Sequence, residues 1–372
     1  MGERARALSG SAEGVVITGL GTAIRGLAGP GGLLGPPPPD HRTAPDPVSR
    51  LTGRGLRYKD RATRLALVAA RDALTDAALI DHAGTPAVPG GSTGVVVSTN
   101  HGNADTVCET VSAIAAGTYL ATSPMMLPAT SSNVVASWVA ITHGLRGANL
   151  TLCNGPTSGL DAVHWGRLLI AAGRVERVLV IGVEPDNAAV RHVTATPADA
   201  APGLFDGAAA LVLESAASAA ARAVRPLAAT GPYARRARHA DAVAEVRSRR
   251  AGPVGLWCVP EHPEGLQAPA PALGAAAGGA PVHDLAALYG SASGALGVLQ
   301  TVAATVWLAD RAVPVLASAG TGDAGADDAA AALLLTPPVH PHPPAPVPVP
   351  DSVSDSASAS VSASASASGG GR

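Results

Sequence analysis

Aromatic residues, lysine and charge are scarce in this sequence. Phe, Trp and Tyr make up 2% of the 372 residues, and Lys59 is the only lysine. Charged residues account for 15% of the chain, and the formal net charge is −2. No basic stripe is present that could follow a phosphate backbone, so nucleic acid is not an expected partner. The core must be packed from Val, Leu, Ile and Ala, which are plentiful in a chain that is 47% hydrophobic.

Cysteines and long apolar runs are scarce as well. Cys108, Cys153 and Cys258 lie far apart and have no CxxC spacing, which argues against a metal knuckle or a disulfide framework. No run reaches about 18 uninterrupted apolar residues, and the opening MGERARALSGSAEG lacks the apolar stretch of a signal peptide. We therefore expect a cytoplasmic protein with reduced thiols, no bound metal and no membrane contact.

Glycines after the first strand do not complete a nucleotide-binding motif. The segment GLGTAIRG (19–26) follows the β-branched run VVIT, but Ile24 stands where the dinucleotide fingerprint GxGxxG needs its third glycine. A proline-rich loop then follows instead of a helix opening. The pattern predicts a tight turn, and no cofactor is expected.

The organisation of the chain changes along its length. Residues 1–13 are small and polar and predict a flexible arm, whereas 14–215 alternate apolar strands with helices. Strands separated by helices of ten or more residues predict parallel βαβ units. Residues 216–336 predict a second, shorter half, and the Pro-rich and Ser/Ala-rich tail at 337–372 is expected to be disordered.

The segment TLCNGPTSGLDA (151–162) predicts a strand that turns sharply into a helix. Such an elbow can hold a nucleophile at its corner, where the helix N-terminus stabilises developing negative charge. The corner residue here is Pro156, which has no nucleophilic atom. Asn154 is expected to cap the helix.

Several segments resemble a known family in the same order along the chain. They are VVITGLG near the start, residues 50–79, residues 145–185 and GAAALVLES (207–215). Together they resemble the N-terminal half of a β-ketoacyl synthase of the thiolase superfamily. Residues 290–306, GSASGALGVLQTVAATV, resemble the same family's glycine-rich helix start, GHTxGAAG. The resemblance implies an α/β fold with duplicated βαβαβαββ halves and helices between two mixed sheets.

The resemblance also implies a site. Family members condense acyl groups held on an acyl carrier protein, using a cysteine thiolate, two histidines and backbone N–H groups that receive an oxyanion. Carried over residue by residue, the family's elbow motif CxSG falls on the four residues Pro156, Thr157, Ser158 and Gly159, which follow Asn154 and Gly155. The cysteine position is therefore Pro156. The histidine of the glycine-rich motif falls on Ser291.

The second histidine has no matching motif. It should follow LWCVP, where the chain has Pro260, Glu261 and His262. The family's GFGG loop has a degraded counterpart in GTGDAGADD (320–328), and Glu184 matches a family glutamate that is expected to form structural hydrogen bonds.

Two further groups of residues have alternative interpretations. Met125, Met126 and Leu127 fall where the family lines its acyl tunnel and dimer contact, and ordinary core packing is equally open. Cys153, placed on the strand, is expected to be a buried core thiol, with a substitute nucleophile as the alternative.

Three functions remain open at this stage. The first is a non-condensing subunit similar to the chain length factors of type II polyketide or fatty-acid synthesis. Such a subunit would pair with an active ketosynthase paralogue, shape the acyl cavity and work with an acyl carrier protein, although those factors usually carry glutamine at the elbow. The second is an active condensing or acyl-transfer enzyme that uses Cys153 or His262, and the third is a repurposed scaffold. Dimerisation is expected through the strand at 149–154, as a heterodimer or a homodimer.

Overall fold

The computed structural model describes five parts of the chain, which are residues 14–200, 203–250, 252–261, 279–320 and 329–338. All of them belong to one structural unit, Met1–Val339. The predicted arm at 1–13, all of the degraded loop except Gly320 and most of the predicted tail lie outside the described residues, as does His262.

The described strands form a ten-stranded mixed sheet in the order β3-β2-β4-β5-β1-β6-β10-β9-β7-β8. Their bounds are β1 Val15–Ile24, β2 Thr93–Ser98, β3 Asn149–Leu152, β4 Arg177–Glu184, β5 Gly207–Ser215, β6 Ala228–Arg236, β7 Leu256–Cys258, β8 Val282–His283, β9 Val315–Ala319 and β10 Ala330–Thr336. Strand β2 pairs in parallel with β3 and β4, whereas β1 is antiparallel to β5 and β6. The α/β class predicted from the sequence is confirmed.

The sheet consists of two five-stranded halves that meet at β1 and β6. Two residue pairs join them, Val16 with Ala229 and Ile17 with Ala228. Strands β1 to β5 supply the first half and β6 to β10 the second. The two sheets expected from the resemblance are thus joined into one sheet, and we call its two halves layers.

Nine α-helices of the described residues pack on these layers. They are α1 Arg61–Asp76, α2 Ala104–Ala116, α3 Val134–His143, α4 Ser158–Ala171, α5 Ala188–Val193, α6 Ala216–Ala221, α7 His239–Ser248, α8 Leu285–Tyr289 and α9 Leu296–Trp307. No helix in the described ranges is both long and apolar enough to cross a membrane.

Side chains that alternate along a strand pack against different helices on the two faces of the sheet. In β10, Leu333 and Leu335 belong to the core that contains α4 and α9, whereas Leu334 belongs to a separate core with α7. Successive side chains of a strand point to opposite faces of the sheet, so the two cores lie on opposite sides of the second half. Helices α1 and α3 cover the other face of the first half. Helices α4 and α9 therefore lie between the two layers.

The two central helices are in direct backbone contact. A Cβ atom placed on Gly159 of α4 would lie 2.6 Å from the backbone nitrogen of Gly297 of α9. A Cβ atom on Gly297 would lie 2.3 Å from the backbone nitrogen of Leu160. These distances are too short for any side chain, so the crossing requires glycine on both helices.

We expect the substitution Gly297→Ala to lower the free energy of unfolding by about 1–3 kcal/mol, because the new methyl group must push the two backbones apart. Urea unfolding followed by circular dichroism measures the change. The matched control is Gly31→Ala, because a Cβ atom at Gly31 has no heavy atom within 4 Å. Equal unfolding midpoints for the two variants would contradict the close helix contact.

Candidate functional site

The predicted elbow is present at the end of β3. Gly155 has a φ of +82°, a backbone conformation that favours glycine, and it turns the chain away from the strand. A single 3₁₀ turn, Gly155–Thr157, leads directly into α4. Pro156 lies in that turn, where its fixed φ suits the start of a helix and its missing N–H removes no helix hydrogen bond.

Pro156 lines a cavity of about 180 Å³, which we call the elbow cavity. Ser291 also lines it, so the structure brings together the two positions that the resemblance assigned to the cysteine and to one histidine. Glu261, His101 and Glu184 contribute further side chains to the wall. Pro260 is buried and is not among the lining residues.

A wider cavity of about 540 Å³ adjoins the elbow cavity. Leu204 and Phe205 line both cavities and therefore form the wall between them. The segment that carries them is held to the glycine-rich segment, because Ser291 donates its N–H to the carbonyl of Gly203 and Phe205 donates to the carbonyl of Ser291, each at 2.9 Å.

Glu261 occupies the hydrogen-bond donors at the start of the glycine-rich segment. One carboxylate oxygen accepts from the Ser291 hydroxyl. The other accepts from the backbone N–H groups of Ala292, at 3.1 Å, and Ser293, at 3.0 Å. The Ser291 hydroxyl and two backbone donors beside Pro156 are thus already engaged by a carboxylate of the same chain. This role of Glu261 could not be predicted from the sequence.

Glu184 ties the end of β2 to the glycine-rich segment. Its buried carboxylate accepts from the backbone N–H groups of Asn100 (2.6 Å), His101 (3.1 Å) and Gly294 (3.1 Å) and from the Thr99 hydroxyl (3.2 Å). This agrees with the structural role expected for Glu184.

His101 is a site residue that sequence reasoning missed. Its Nδ1 lies 3.4 Å from the Glu184 carboxylate. The pKa of His101 is raised above its ordinary 6.5 because the imidazole hydrogen-bonds to Glu184, and burial opposes that rise. The available signal was its position directly after the buried strand GVVVS, at the same sheet edge as the elbow.

The helix cap predicted at Asn154 is wrong. The Asn154 side chain makes no hydrogen bond to the backbone of the helix opening. Its Oδ1 accepts from the Ser158 hydroxyl at 2.7 Å, and its Nδ2 donates to the carboxylate of Asp161. Asp161 also accepts from Thr157 Oγ1 at 2.8 Å and from the Tyr233 hydroxyl. A buried carboxylate therefore fixes the elbow to strand β6, and no simple cap is needed.

Cys153 differs from its expected environment. It lies just beyond the end of β3 and is exposed, so the prediction of a buried core thiol is wrong. The Cys153 Sγ donates to the carbonyl of Asn100 at 3.6 Å. Partial burial, followed by the charge of Glu184, raises the pKa of the thiol. The thiolate form is therefore disfavoured.

Met125, Met126 and Leu127 lie on the surface. Met125 and Leu127 are 63% and 44% exposed, and Met126 is half-buried. The alternative of ordinary core packing is therefore wrong for Met125 and Leu127, and none of the three lines the elbow cavity. Within the described ranges, no group of three or more His, Cys, Asp or Glu side chains could hold a metal ion.

A family model and several solved structures are similar to this chain. Residues 39–219 match the family model described as the β-ketoacyl synthase N-terminal domain. The ishigamide ketosynthase/chain length factor is 26% identical with a TM-score of 0.64, over 87% of this chain and 99% of that chain. No curated protein matches the chain in sequence.

Two more distant structures share the fold. One is AntDE:AntF, a type II PKS acyl-carrier protein in complex with its ketosynthase, at 16% identity and a TM-score of 0.67 over 87% of this chain and 99% of that chain. The other is a β-ketoacyl synthase from Burkholderia phymatum STM815, at 18% identity and a TM-score of 0.68. The match covers 88% of this chain and 100% of that chain. The fold of the described chain is the thiolase-like one.

We expect His101 to titrate above pH 6.5 in the folded protein. Protonation of a group whose folded-state pKa is raised stabilises the fold at low pH, and that stabilisation is lost as pH rises through the folded-state pKa. Histidine NMR signals followed against pH measure the titration. The matched control is His164, whose pKa burial lowers to about 4.

The variant Glu184→Gln should lower the pKa of His101, because it removes the neighbouring negative charge, and should leave His164 unchanged. A His101 pKa at or below 6.5 in the unsubstituted protein would contradict the contact with Glu184.

Proposed function

We propose that this chain, of which residues 39–219 match the β-ketoacyl synthase N-terminal domain, is a non-condensing subunit of the chain-length-factor type. In polyketide or fatty-acid synthesis it would pair with an active β-ketoacyl-ACP synthase and help to shape the cavity that holds the growing acyl chain. The likeness to a ketosynthase/chain length factor over 87% of the chain supports this choice within the family.

The observation that carries the proposal is Pro156 at the elbow, inside the elbow cavity. Proline supplies no thiolate, no proton and no N–H group, so the corner can neither accept an acyl chain nor donate to an oxyanion. Ser291 lies where the resemblance places a histidine, and its hydroxyl donates to Glu261. A hydroxyl cannot carry the positive charge of an imidazolium.

The alternative of an active enzyme with relocated residues has little support among the described residues. A cysteine attacks as its thiolate, and the raised pKa of Cys153 keeps that form scarce at neutral pH. Its thiol is also held by the Asn100 carbonyl.

A partner is supported by the outer edge of the first half of the sheet. Strand β3 is the terminal strand, so one row of its backbone N–H and C=O groups has no strand beside it within the described chain. Helix α3 packs against this strand, the 3₁₀ turns Tyr119–Ala121 and Leu127–Thr130 pack against α2, and the second of these turns also contacts α3. They carry exposed apolar side chains at Val111, Ile114, Tyr119, Leu120, Met125, Leu127 and Ile141. We call this set, together with β3, the β3-edge surface.

We infer that the β3-edge surface receives the active ketosynthase. An open strand edge pairs well with another strand, and exposed apolar side chains grouped on neighbouring elements mark a site of protein association. Met125, Met126 and Leu127 would then take part in this contact. We expect the pair of subunits, rather than this chain alone, to receive acyl groups from the acyl carrier protein. A structure that shares the fold at 16% identity holds a type II PKS acyl-carrier protein in complex with its ketosynthase, and that complex supports this arrangement.

The purified chain should form no covalent adduct with an acyl thioester and should not decarboxylate a malonyl thioester, because Pro156 offers no nucleophile. Intact-protein mass spectrometry and release of carbon dioxide measure the two reactions, with an active ketosynthase as the positive control. An acyl adduct that disappears in Cys153→Ala would contradict the proposal and favour the relocated-nucleophile alternative.

The chain should form a stable complex when it is co-expressed with a ketosynthase paralogue that keeps the cysteine and both histidines. Leu120, which is 78% exposed, lies on the β3-edge surface, and Leu120→Asp should weaken the complex at least tenfold by placing a charge in the contact. Size-exclusion chromatography with light scattering measures the assembly.

The matched control is Val282→Asp, since Val282 is 57% exposed and lies on β8 at the opposite edge of the sheet. A lone monomer in the presence of the paralogue, or equal losses from both variants, would contradict this interface.

A further inference from the structure

A third cavity, of about 370 Å³, lies beside helix α1 and shares no lining residue with the elbow cavity. The chain before α1, one face of α1 and the end of α3 form its walls. Three cationic side chains line it, Arg50, Lys59 and Arg71, together with the imidazole of His143. No described carboxylate is among its lining residues. The charged side chains that line the cavity are therefore all cationic.

Two of the three cations lack a carboxylate partner within the described chain. Arg71 donates to the carbonyl of His82 at 2.8 Å, and the Lys59 Nζ lies 3.5 Å from the centroid of the Trp138 ring. Burial lowers the pKa of Lys59, which indicates that its positive charge is incompletely stabilised. An anion in the cavity would stabilise both charges.

Arg50 has a carboxylate partner that it can exchange. It pairs with Asp72 at 2.6 Å, and 51% of the Arg50 side chain and 34% of the Asp72 side chain are exposed. Exposed pairs of this kind are weak, because solvent screens them and both long side chains lose freedom. The guanidinium can therefore turn to a bound anion at little cost.

His143 contributes an unused hydrogen-bonding atom. Its Nε2 is buried and has no hydrogen-bond partner among the described residues. Burial and the nearby charge of Arg71 lower the pKa of His143 to about 4, so the imidazole is neutral at pH 7. A neutral imidazole can donate a hydrogen bond from Nε2. Buried polar atoms are normally paired, and the unpaired Nε2 of His143 would reach an oxygen of a ligand in the cavity after a rotation of the ring.

The side chains that line this cavity indicate which class of ligand it can bind. The planar forks of arginine match the oxygens of a phosphate and can bind two of them at once, and three cations favour a dianion over a monoanion. The volume of about 370 Å³ is in the range of small-molecule sites and leaves room beyond one phosphate group. Leu56 and Leu67 provide apolar wall for an organic part.

We propose that Arg50, Lys59, Arg71 and His143 form a binding site for the phosphate group of a small-molecule phosphate monoester. The site does not depend on the acyl-chain role of the subunit, because no residue of the elbow takes part in it.

Isothermal titration calorimetry on the full chain at low ionic strength tests the site, with AMP, adenosine and inorganic phosphate as probes. AMP should bind saturably with one site per chain, inorganic phosphate should compete with it, and adenosine should not bind. Tighter binding of AMP than of inorganic phosphate supports a site for an organic monoester, whereas equal affinity assigns the site to free phosphate. Absence of saturable binding by either anion, or equal binding of adenosine and AMP, would overturn the proposal.

Substitutions of the lining residues test whether AMP binds in this cavity. Lys59→Gln and Arg71→Gln should each weaken AMP at least tenfold. The matched control Arg311→Gln should not, since Arg311 is an exposed arginine that pairs with Asp310 elsewhere on the surface. Arg71→Lys keeps the charge without the planar fork and should give an intermediate affinity even if the glutamine variants fold poorly. Unchanged affinity in Arg71→Lys and in both glutamine variants would overturn the assignment.

Discussion

The close crossing of α4 and α9 is the constraint on which the site depends. Gly159 and Gly297 let the two backbones touch between the layers of the sheet, and the opening of each helix is thereby brought to the same cavity. Pro156 lies before one helix and Ser291 before the other, and both line this cavity although they are 135 positions apart in the chain. A larger residue at either glycine would separate the elbow from the glycine-rich segment before any change in their own chemistry.

Three carboxylates, of which Glu184 and Asp161 are buried, hold the rest of this arrangement together. Glu184 collects donors from the end of β2 and the glycine-rich segment, Glu261 collects those at the start of that segment, and Asp161 fixes the elbow to β6. A site that stabilises an oxyanion needs donors that are aimed at the substrate and not already engaged. Here the chain's own carboxylates accept from backbone N–H groups around Pro156 and Ser291. The elbow and the glycine-rich segment thus meet at one cavity while these donors are engaged within the chain, which is consistent with the proposed non-condensing subunit.

The sequence predicted the parts of the site that local pattern controls. Alternating apolar residues, helix-length spacers and the Gly-Pro corner were sufficient to place the strands, the central helices and Pro156. Partners from distant segments could not be derived in this way. Asn154 looks like a helix cap, but Asp161 and Ser158 take its side chain, and Cys153 looks like a core residue because the sequence does not show that β3 is an edge strand. The roles of His101 and Glu261 depend on contacts among three separate loops, so they are visible only in the folded chain.

The most direct test of the central claim is reconstitution with an active ketosynthase paralogue, an acyl carrier protein and a malonyl donor, with mass spectrometry of the carrier-bound products. The length of the product should depend on the presence of this chain. The Pro156→Ala variant should leave the product unchanged, because the corner performs no chemistry. Elongated product formed by this chain in the absence of the ketosynthase would contradict the claim.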